Sequence, residues 1–362
     1  MIQIGINGRV LAKPTAGGVG RYTYQLLSEF KTMTEECSIV AVGAEGVSDV
    51  PAQITVDEQV PVHSGFRAHL WEQVSLPLKL RSRKFDVFHT PAGHPPIISG
   101  TPLVTTIHDI SPITNPEWFT DKYVALYRLL TPLAIRASAR IITVSDFARQ
   151  EILERYPAAR GKVVAIHNGV TPRDLTNSVP CSQVTSGKYL LFVGSANPRK
   201  NLKGLLKAYR KYRQQAKDPY PLVLVGPDGD VFAETDIPDV NGVQQLGFVS
   251  EEKLTWLYSN AALFVFPSLY EGFGLPILEA MSVRTPVVTS DRGAMAEVAD
   301  DAAHLVDPIN PNAIAAGIQD VLDDREYRET LCQKGKSRST KFSWSRTARR
   351  TLEVYREVAD ES

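Results

Sequence analysis

The stretch FPSLYEGFGLPILEA, from Phe266 to Ala280, decides how this chain folds. A strand candidate ends near Phe266, a glycine-containing loop follows, and Pro276 falls where the first turn of a helix begins. Proline there gives up no hydrogen bond, because first-turn N–H groups have no partner inside the helix. The N–H groups near Gly274 and Leu275 then point off the carboxyl end of the strand. Such a terminus suits an anionic oxygen, phosphate above all. Two carboxylates bracket the turn, Glu271 in the loop and Glu279 in the helix, eight positions apart. A phosphate between them would be repelled, so they are expected to face other parts of a ligand, its hydroxyl groups. The alternative is that Glu279 favours the helix dipole and Glu271 is simply solvated.

The same strand–loop–helix pattern extends in both directions. Upstream, Gly194-Ser195-Ala196-Asn197-Pro198-Arg199-Lys200-Asn201 follows the strand candidate Tyr189–Val193. Two adjacent cations at the start of a helix, beyond a strand's carboxyl end, suit a pyrophosphate: arginine as a planar fork, lysine as a point charge. A solvated basic first turn is the alternative, and the helix dipole disfavours it. Further strand candidates are Leu222–Val225, Val243–Leu246, Leu263–Phe266, Val287–Thr289 and His304–Val306. Before residue 170 they are Ile2–Ile6, Ile39–Gly43, Val87–His89, Leu103–Ile107, Ile141–Val144 and Val163–Ile166. Helical patterns between them cover Gly20–Phe30, Lys122–Ala137 and Asp146–Tyr156, with Asp146 and Ser145 competing for the last N-cap. Alternation of this kind predicts an α/β chain of parallel sheets covered by crossover helices.

Thr171 to Gly187, TPRDLTNSVPCSQVTSG, has linker composition and divides the alternation into two doubly wound domains. The final segment Ser345–Val358 is amphipathic, with Ala348, Leu352, Tyr355 and Val358 or Ala359 on one face. In the first half, Ala16-Gly17-Gly18-Val19-Gly20 opens a helix, where glycine permits close approach of a ligand and a tight turn explains the run equally well. His108-Asp109 closes the run PLVTTIHD at a strand's carboxyl end and places a histidine beside an acid; a hydrogen-bonded structural histidine is the rival reading. His167 precedes Asn168-Gly169 and reads as part of a turn.

Composition narrows the function. The 362 residues carry 40 basic and 40 acidic side chains, a net charge of zero that argues against a general polyanion binder such as a nucleic-acid protein. No run reaches the ~18 apolar residues of a membrane span. Met1-Ile2-Gln3-Ile4-Gly5-Ile6 reads as a strand rather than a secretion signal. Cys37, Cys181 and Cys332 are too widely spaced for a disulfide framework or zinc knuckle, so a reducing cytoplasm is expected. There is no G-x-G-x-x-G at a strand–helix junction, and Gly335-Lys336-Ser337 fails as a P-loop because Thr330 holds the upstream glycine position. Asp228-Gly229-Asp230 reads as a turn, and no metal site is expected.

Taken together, these segments resemble the retaining glycosyltransferases of family four, also called group 1, over nearly the whole chain. The matching pieces, in the family's order, are the Gly-Gly-Val loop at 17–19, HD at 108–109, TVSDFARQEI at 143–152, HNGV at 167–170, VGSANPRKN at 193–201, GFV at 247–249 and EGFGLPILEAM at 271–281. The resemblance implies a GT-B fold of two Rossmann-like domains facing across a cleft. The first would span 1–175 and bind the acceptor, the second 176–344 and bind the donor, with the helix at 345–362 crossing back to the first.

It also implies roles. Arg199 and Lys200 neutralise the donor diphosphate, and Glu271 orients the hydroxyls of the transferred sugar beneath its anomeric carbon. Glu279 holds the ribose hydroxyls, and Gly18 approaches the phosphates and acceptor. His108 lies near the sugar 6-hydroxyl. Gly194, Val249 and the backbone of Phe273, Gly274 and Leu275 complete the donor site, without a metal or other cofactor. HDISPITNPEWFT and PRKN look most like bacterial mannosyltransferases that use GDP-mannose in O-antigen or exopolysaccharide assembly; dTDP-rhamnose or a UDP-hexose remains open as donor. A nucleotide-sugar 2-epimerase, a phosphorylase and a non-catalytic nucleotide-sugar binder are the competing functions on this fold. A glycan or polyprenyl-diphosphate-linked acceptor would bring the enzyme to the inner membrane face. Arg67–Lys84, with Leu70, Trp71, Val74 and Leu78 and a basic end, is the segment for peripheral contact, its apolar residues otherwise being expected in the core.

Overall fold

The computed structural model describes residues 1–12, 18–33, 35–43, 55–57, 70–91, 94–226 and 240–361. Ala16, Gly17, Arg67 and the Asp228–Asp230 turn lie outside them. The chain forms two compact units: Met1–Pro116, Thr120–Gly169 and Ser343–Ser362 make the first, Glu117–Phe119 and Val170–Phe342 the second.

Among the described residues the first unit has seven strands, β1 (Ile2–Asn7), β2 (Cys37–Val42), β3 (Thr55–Asp57), β4 (Val87–Thr90), β5 (Leu103–Thr106), β6 (Arg140–Thr143) and β7 (Val163–Ala165). They pair in parallel in the order β3-β2-β1-β4-β5-β6-β7. β3 was missing from the sequence reading because three residues at a sheet edge carry no periodic signal. The second unit has β8 (Leu190–Val193), β9 (Leu222–Val225), β10 (Val243–Gln245), β11 (Leu263–Phe266), β12 (Val287–Ser290) and β13 (His304–Val306), in the order β10-β9-β8-β11-β12-β13, again all parallel. Central strands such as LVLV of β9 and LFVF of β11 are buried at every position. Helices cover both faces of such a sheet, so the strands are unbroken apolar runs rather than alternating ones.

Each sheet reverses its strand order once, between β1 and β4 and between β8 and β11. Loops that leave the carboxyl ends of the strands beside such a reversal splay apart and leave a crevice for ligand. In the second unit those two loops are the ones that carry Arg199-Lys200 and Glu271.

The C-terminal helix Trp344–Asp360 belongs to the first unit. Ser343 caps it, accepting from Arg346 N. Its apolar face buries Ala348, Leu352, Tyr355 and Val358 against Tyr22, Leu26, Leu27 and Phe30 of the helix Gly18–Phe30. Entry of this helix explains Gly169: a Cβ there would stand 2.1 Å from the backbone N of Trp344. Ser145, not Asp146, caps the helix Asp146–Arg155, accepting from Ala148 N at 3.0 Å.

The segment read as a linker, Thr171–Gly187, is instead part of the second unit. Val179 N donates to Glu252 O, Gly187 N donates to Asn260 O, and Cys181 is buried. Its composition is polar all the same, because loops that pack through main-chain hydrogen bonds need no apolar periodicity.

His89 of β4 is wholly buried between the crossing helix and β5. The Tyr355 hydroxyl lies 2.6 Å from Nδ1, and Nε2 meets Thr106 Oγ1 at 2.8 Å. Burial, with the nearby His108 adding to it, pushes the His89 pKa down from 6.5 to about 3. The unfolded chain therefore binds this proton first, so the stability it withholds is fully present above pH 6.5 and is lost as pH falls toward 3. By urea unfolding, going from pH 7 to pH 5 is expected to cost the wild type about 2 kcal/mol more than it costs His89→Gln. Equal losses would contradict the neutral buried histidine.

Candidate active site

In the second unit, β8 runs into Gly194, whose N donates to Val225 O at 2.8 Å. Gly226, at φ 150, approaches so closely that a Cβ there would meet Gly194 O at 2.3 Å. Its own N donates to Gly247 O at 3.0 Å, which ties the carboxyl ends of β8, β9 and β10 together. Past Gly194, the Asn197 side chain accepts from Arg199 N at 3.1 Å and starts the short 3-10 turn Pro198–Lys200. Asn201 ends that turn in the left-handed region at φ 57, which asparagine tolerates better than most residues. Its amide donates to Pro267 O at 3.0 Å and Pro308 O at 2.6 Å. Leu269 N also donates to Arg199 O at 2.7 Å, so the cationic turn and the loop after β11 are fixed to each other through the main chain.

That fixed geometry brings Lys200 Nζ to 2.6 Å from Glu271 Oε1. Lys200 also lies over the Phe266 ring, 4.8 Å from its centroid. Glu271 is only 7% exposed. A carboxylate so far removed from water needs a cation beside it, and Lys200 supplies one. The loop ends at Gly274, whose φ of 106 few residues but glycine adopt, and Gly274 is the N-cap of the helix Leu275–Ser282 with Pro276 in its first turn. Phe273 is buried and packs edge-on against Phe342, with ring centroids 5.8 Å apart.

Glu279 is 5% exposed and sits in the second turn of that helix, beyond the reach of the helix-dipole reading. Tyr258 donates its hydroxyl to Glu279 Oε2 at 3.0 Å, and Arg173 Nη2 stands 3.2 Å from the same oxygen. The two acids are thus held by different cations. Arg173 escaped the sequence reading because it lies in the segment taken for a linker; no motif marks it. Val249 is partly buried just before Ser250, the N-cap of the helix Glu251–Ser259, beside a strongly exposed Phe248.

In the first unit, His108 follows β5. Its Nε2 lies 3.0 Å from Pro91 O, a carbonyl that can only accept, so Nε2 carries the proton. The ring meets Tyr22 edge-on at 4.9 Å. Burial lowers the His108 pKa, opposed by the Pro91 bond and the Asp109 charge, so the imidazole is neutral and Nδ1 is its accepting nitrogen. Asp109 Oδ1 accepts from Ser111 N and Oγ, at 2.9 and 2.6 Å. The acid next to His108 thus shapes the following turn. Gly18 begins its helix with nothing among the described residues within 4 Å of where a Cβ would stand. No packing demands glycine there, unlike Gly169. His167 is a turn residue whose carbonyl accepts from Thr347 Oγ1 at 2.7 Å.

Two family models match successive parts of the chain. Residues 16–174 match the model described as Glycosyltransferase Family 4, and residues 182–338 match Glycosyl transferases group 1. The O-antigen chain mannosyltransferase B of Escherichia coli is 33% identical, across 94% of this chain and 96% of its own. The chain belongs to the family 4, group 1 glycosyltransferases. Another relative of this glycosyltransferase, the MMP alpha-(1->4)-mannosyltransferase of Mycolicibacterium hassiacum, is 29% identical over 71% of the chain and 65% of its own. The fold is GT-B. Sucrose-phosphate synthase from Thermosynechococcus elongatus superposes with a TM-score of 0.75 at 19% identity over 100% of both chains. Anabaena HepE, solved with UDP and glucose, gives 0.69 at 18% identity over 99% of this chain and 100% of its own.

Proposed function

We propose that this glycosyltransferase moves mannose from GDP-mannose, with retention and without a metal ion, to a glycan or polyprenyl-diphosphate-linked acceptor in O-antigen or exopolysaccharide assembly. The observation that carries the reading is the buried Lys200–Glu271 pair beside the strand-order reversal of the second sheet. It offers a diphosphate a cation and a sugar a carboxylate within one rigid frame. The sugar is taken from the E. coli and M. hassiacum relatives, both named mannosyltransferases.

In the proposed reaction the bond from the anomeric carbon to the diphosphate oxygen breaks, and its electron pair leaves with the phosphate. Positive charge grows on the sugar ring, and Glu271 stabilises it while orienting the hydroxyls. Negative charge grows on the diphosphate, where Arg199, Lys200 and the N–H groups at Gly274 and Leu275 receive it. The acceptor oxygen bonds the anomeric carbon from the side the phosphate leaves, and its proton passes to the departing phosphate oxygen. Neutral His108, its Nε2 proton given to Pro91 O, accepts a hydrogen bond from a sugar hydroxyl at Nδ1 without bringing a competing charge, and Gly18 leaves room for the substrate.

Preorganised donors of this kind contribute about 2.7–4 kcal/mol each in the transition state. Arg199→Ala is therefore expected to lower kcat/KM for GDP-mannose about 100-fold to 1000-fold, in wild-type and variant protein alike passed through EDTA. A variant within about twofold of wild type would contradict the role of Arg199. Loss of turnover on chelation would contradict metal independence, and faster release of UDP or dTDP from their hexoses would reassign the donor.

A lipid-linked acceptor requires access to the membrane. No helix among the described residues is long and apolar enough to cross one. The helical segment 70–82 has Trp71, Leu76 and Leu80 buried, but Leu70, Val74 and Leu78 are exposed, contrary to the expectation that they join the core. Gln73 bonds Pro95 O and Ile97 N, and Gly100 approaches Arg81, so the loop bearing the exposed Ile98 runs along this helix. Arg81, Arg83 and Lys84 are exposed where the ridge ends. Apolar side chains ending in cations match an anionic lipid surface. The protein is expected to sediment with phosphatidylglycerol vesicles and Val74→Asp/Leu78→Asp to stay in the supernatant; equal sedimentation of both would refute this contact.

A further inference from the structure

Glu279 presents a physical difficulty that its assigned role does not resolve. Ile277, Leu278, Ala280 and Met281 surround it on its helix, all buried. A carboxyl group in such a place tends to keep its proton. A protonated acid accepts hydrogen bonds poorly, whereas the vicinal hydroxyls of a ribose need an acceptor for two O–H donors. Something must hold the group as a carboxylate and fix its rotation.

Resting on the reading of Glu279 as the ribose acid, we infer that Arg173 is the positioning residue that makes it one. The Arg173 side chain is 4% exposed, as deeply buried as that of the acid it faces. Its guanidinium lies 4.6 Å over the Tyr258 ring, and Tyr258 in turn donates to Glu279 Oε2. Nη1 donates to Thr255 Oγ1 at 3.1 Å and meets the exposed Glu251 at 3.4 Å. Neither Nε nor Nη2 makes a hydrogen bond of good geometry. What reaches Glu279 from Nη2 at 3.2 Å is therefore charge more than a directed bond. Arg173 and Tyr258 address the same oxygen, Oε2, one by charge and one by hydrogen bond. That combination turns the carboxylate in a single direction and keeps it ionised.

A residue acting in this way sets how strongly the site distinguishes ribose from 2′-deoxyribose. Titration calorimetry with GDP and 2′-deoxy-GDP reads it directly. The wild type is expected to bind GDP at least about 10-fold tighter than the deoxy form, the range for a hydrogen bond to a charged group. Arg173→Met, folded by thermal unfolding, is expected to weaken GDP and bring the ratio to within about threefold, while Arg173→Lys keeps part of it. Adding Glu279→Gln to Arg173→Met is expected to change the ratio no further. If Arg173→Met weakened both nucleotides alike and left the ratio intact, Arg173 would be a packing residue and the inference would fall alone. A wild type that bound GDP but ignored the 2′-hydroxyl would overturn the ribose role of Glu279 and the inference together.

Discussion

A lysine and a glutamate held 2.6 Å apart, largely out of water, constrain the rest of the second unit. Either charge alone would be expelled or neutralised at that depth, and removing one partner of such a pair commonly costs about 3–5 kcal/mol. The pair persists only if the two loops that carry it cannot separate. Everything around it serves that end. Leu269 N bonds Arg199 O, and Asn201 bonds the carbonyls of Pro267 and Pro308. Glycines at 226 and 274 take backbone conformations that let the strand ends close in.

The parallel sheet makes this arrangement available. With β8 and β11 adjacent and running the same way, their following loops must leave from the same end, and the helices that follow return on opposite sides. Charged and polar groups then gather at one rim while the strands beneath stay wholly apolar. The same logic in the first unit places Gly18 and His108 after β1 and β5 at the carboxyl end of its own sheet. A neutral histidine and a glycine there differ in character from the charged cluster of the second unit.

Much of this was legible in the chain because its signals are local. Pro276 after Gly274 announces a helix start, and Arg199-Lys200 after an apolar run announces cations at a strand end. Of the thirteen strands among the described residues, twelve announced themselves as β-branched and apolar runs; the three-residue edge strand β3 was too short to do so. What failed to show was long-range. Arg173 and Glu279 are neighbours across more than a hundred residues, and nothing in TPRDL predicts it. Asp109 beside His108 does not announce that its carboxylate also accepts from Ser111 and shapes the next turn. Leu70, Val74 and Leu78 recur every four residues like a core face, yet they point outward, because periodicity identifies one face of a helix and not what covers it.

The central claim is that the Lys200–Glu271 frame receives a nucleoside diphosphate. A crystal structure of the protein with GDP and mannose in place of the intact donor tests it most directly. The β-phosphate is expected within about 3 Å of Lys200 Nζ, the donor–acceptor range of a charge-assisted bond, with Glu271 on the sugar hydroxyls and Glu279 on the ribose. A diphosphate bound away from the carboxyl ends of β8 and β11, with the Lys200–Glu271 pair untouched, would contradict it.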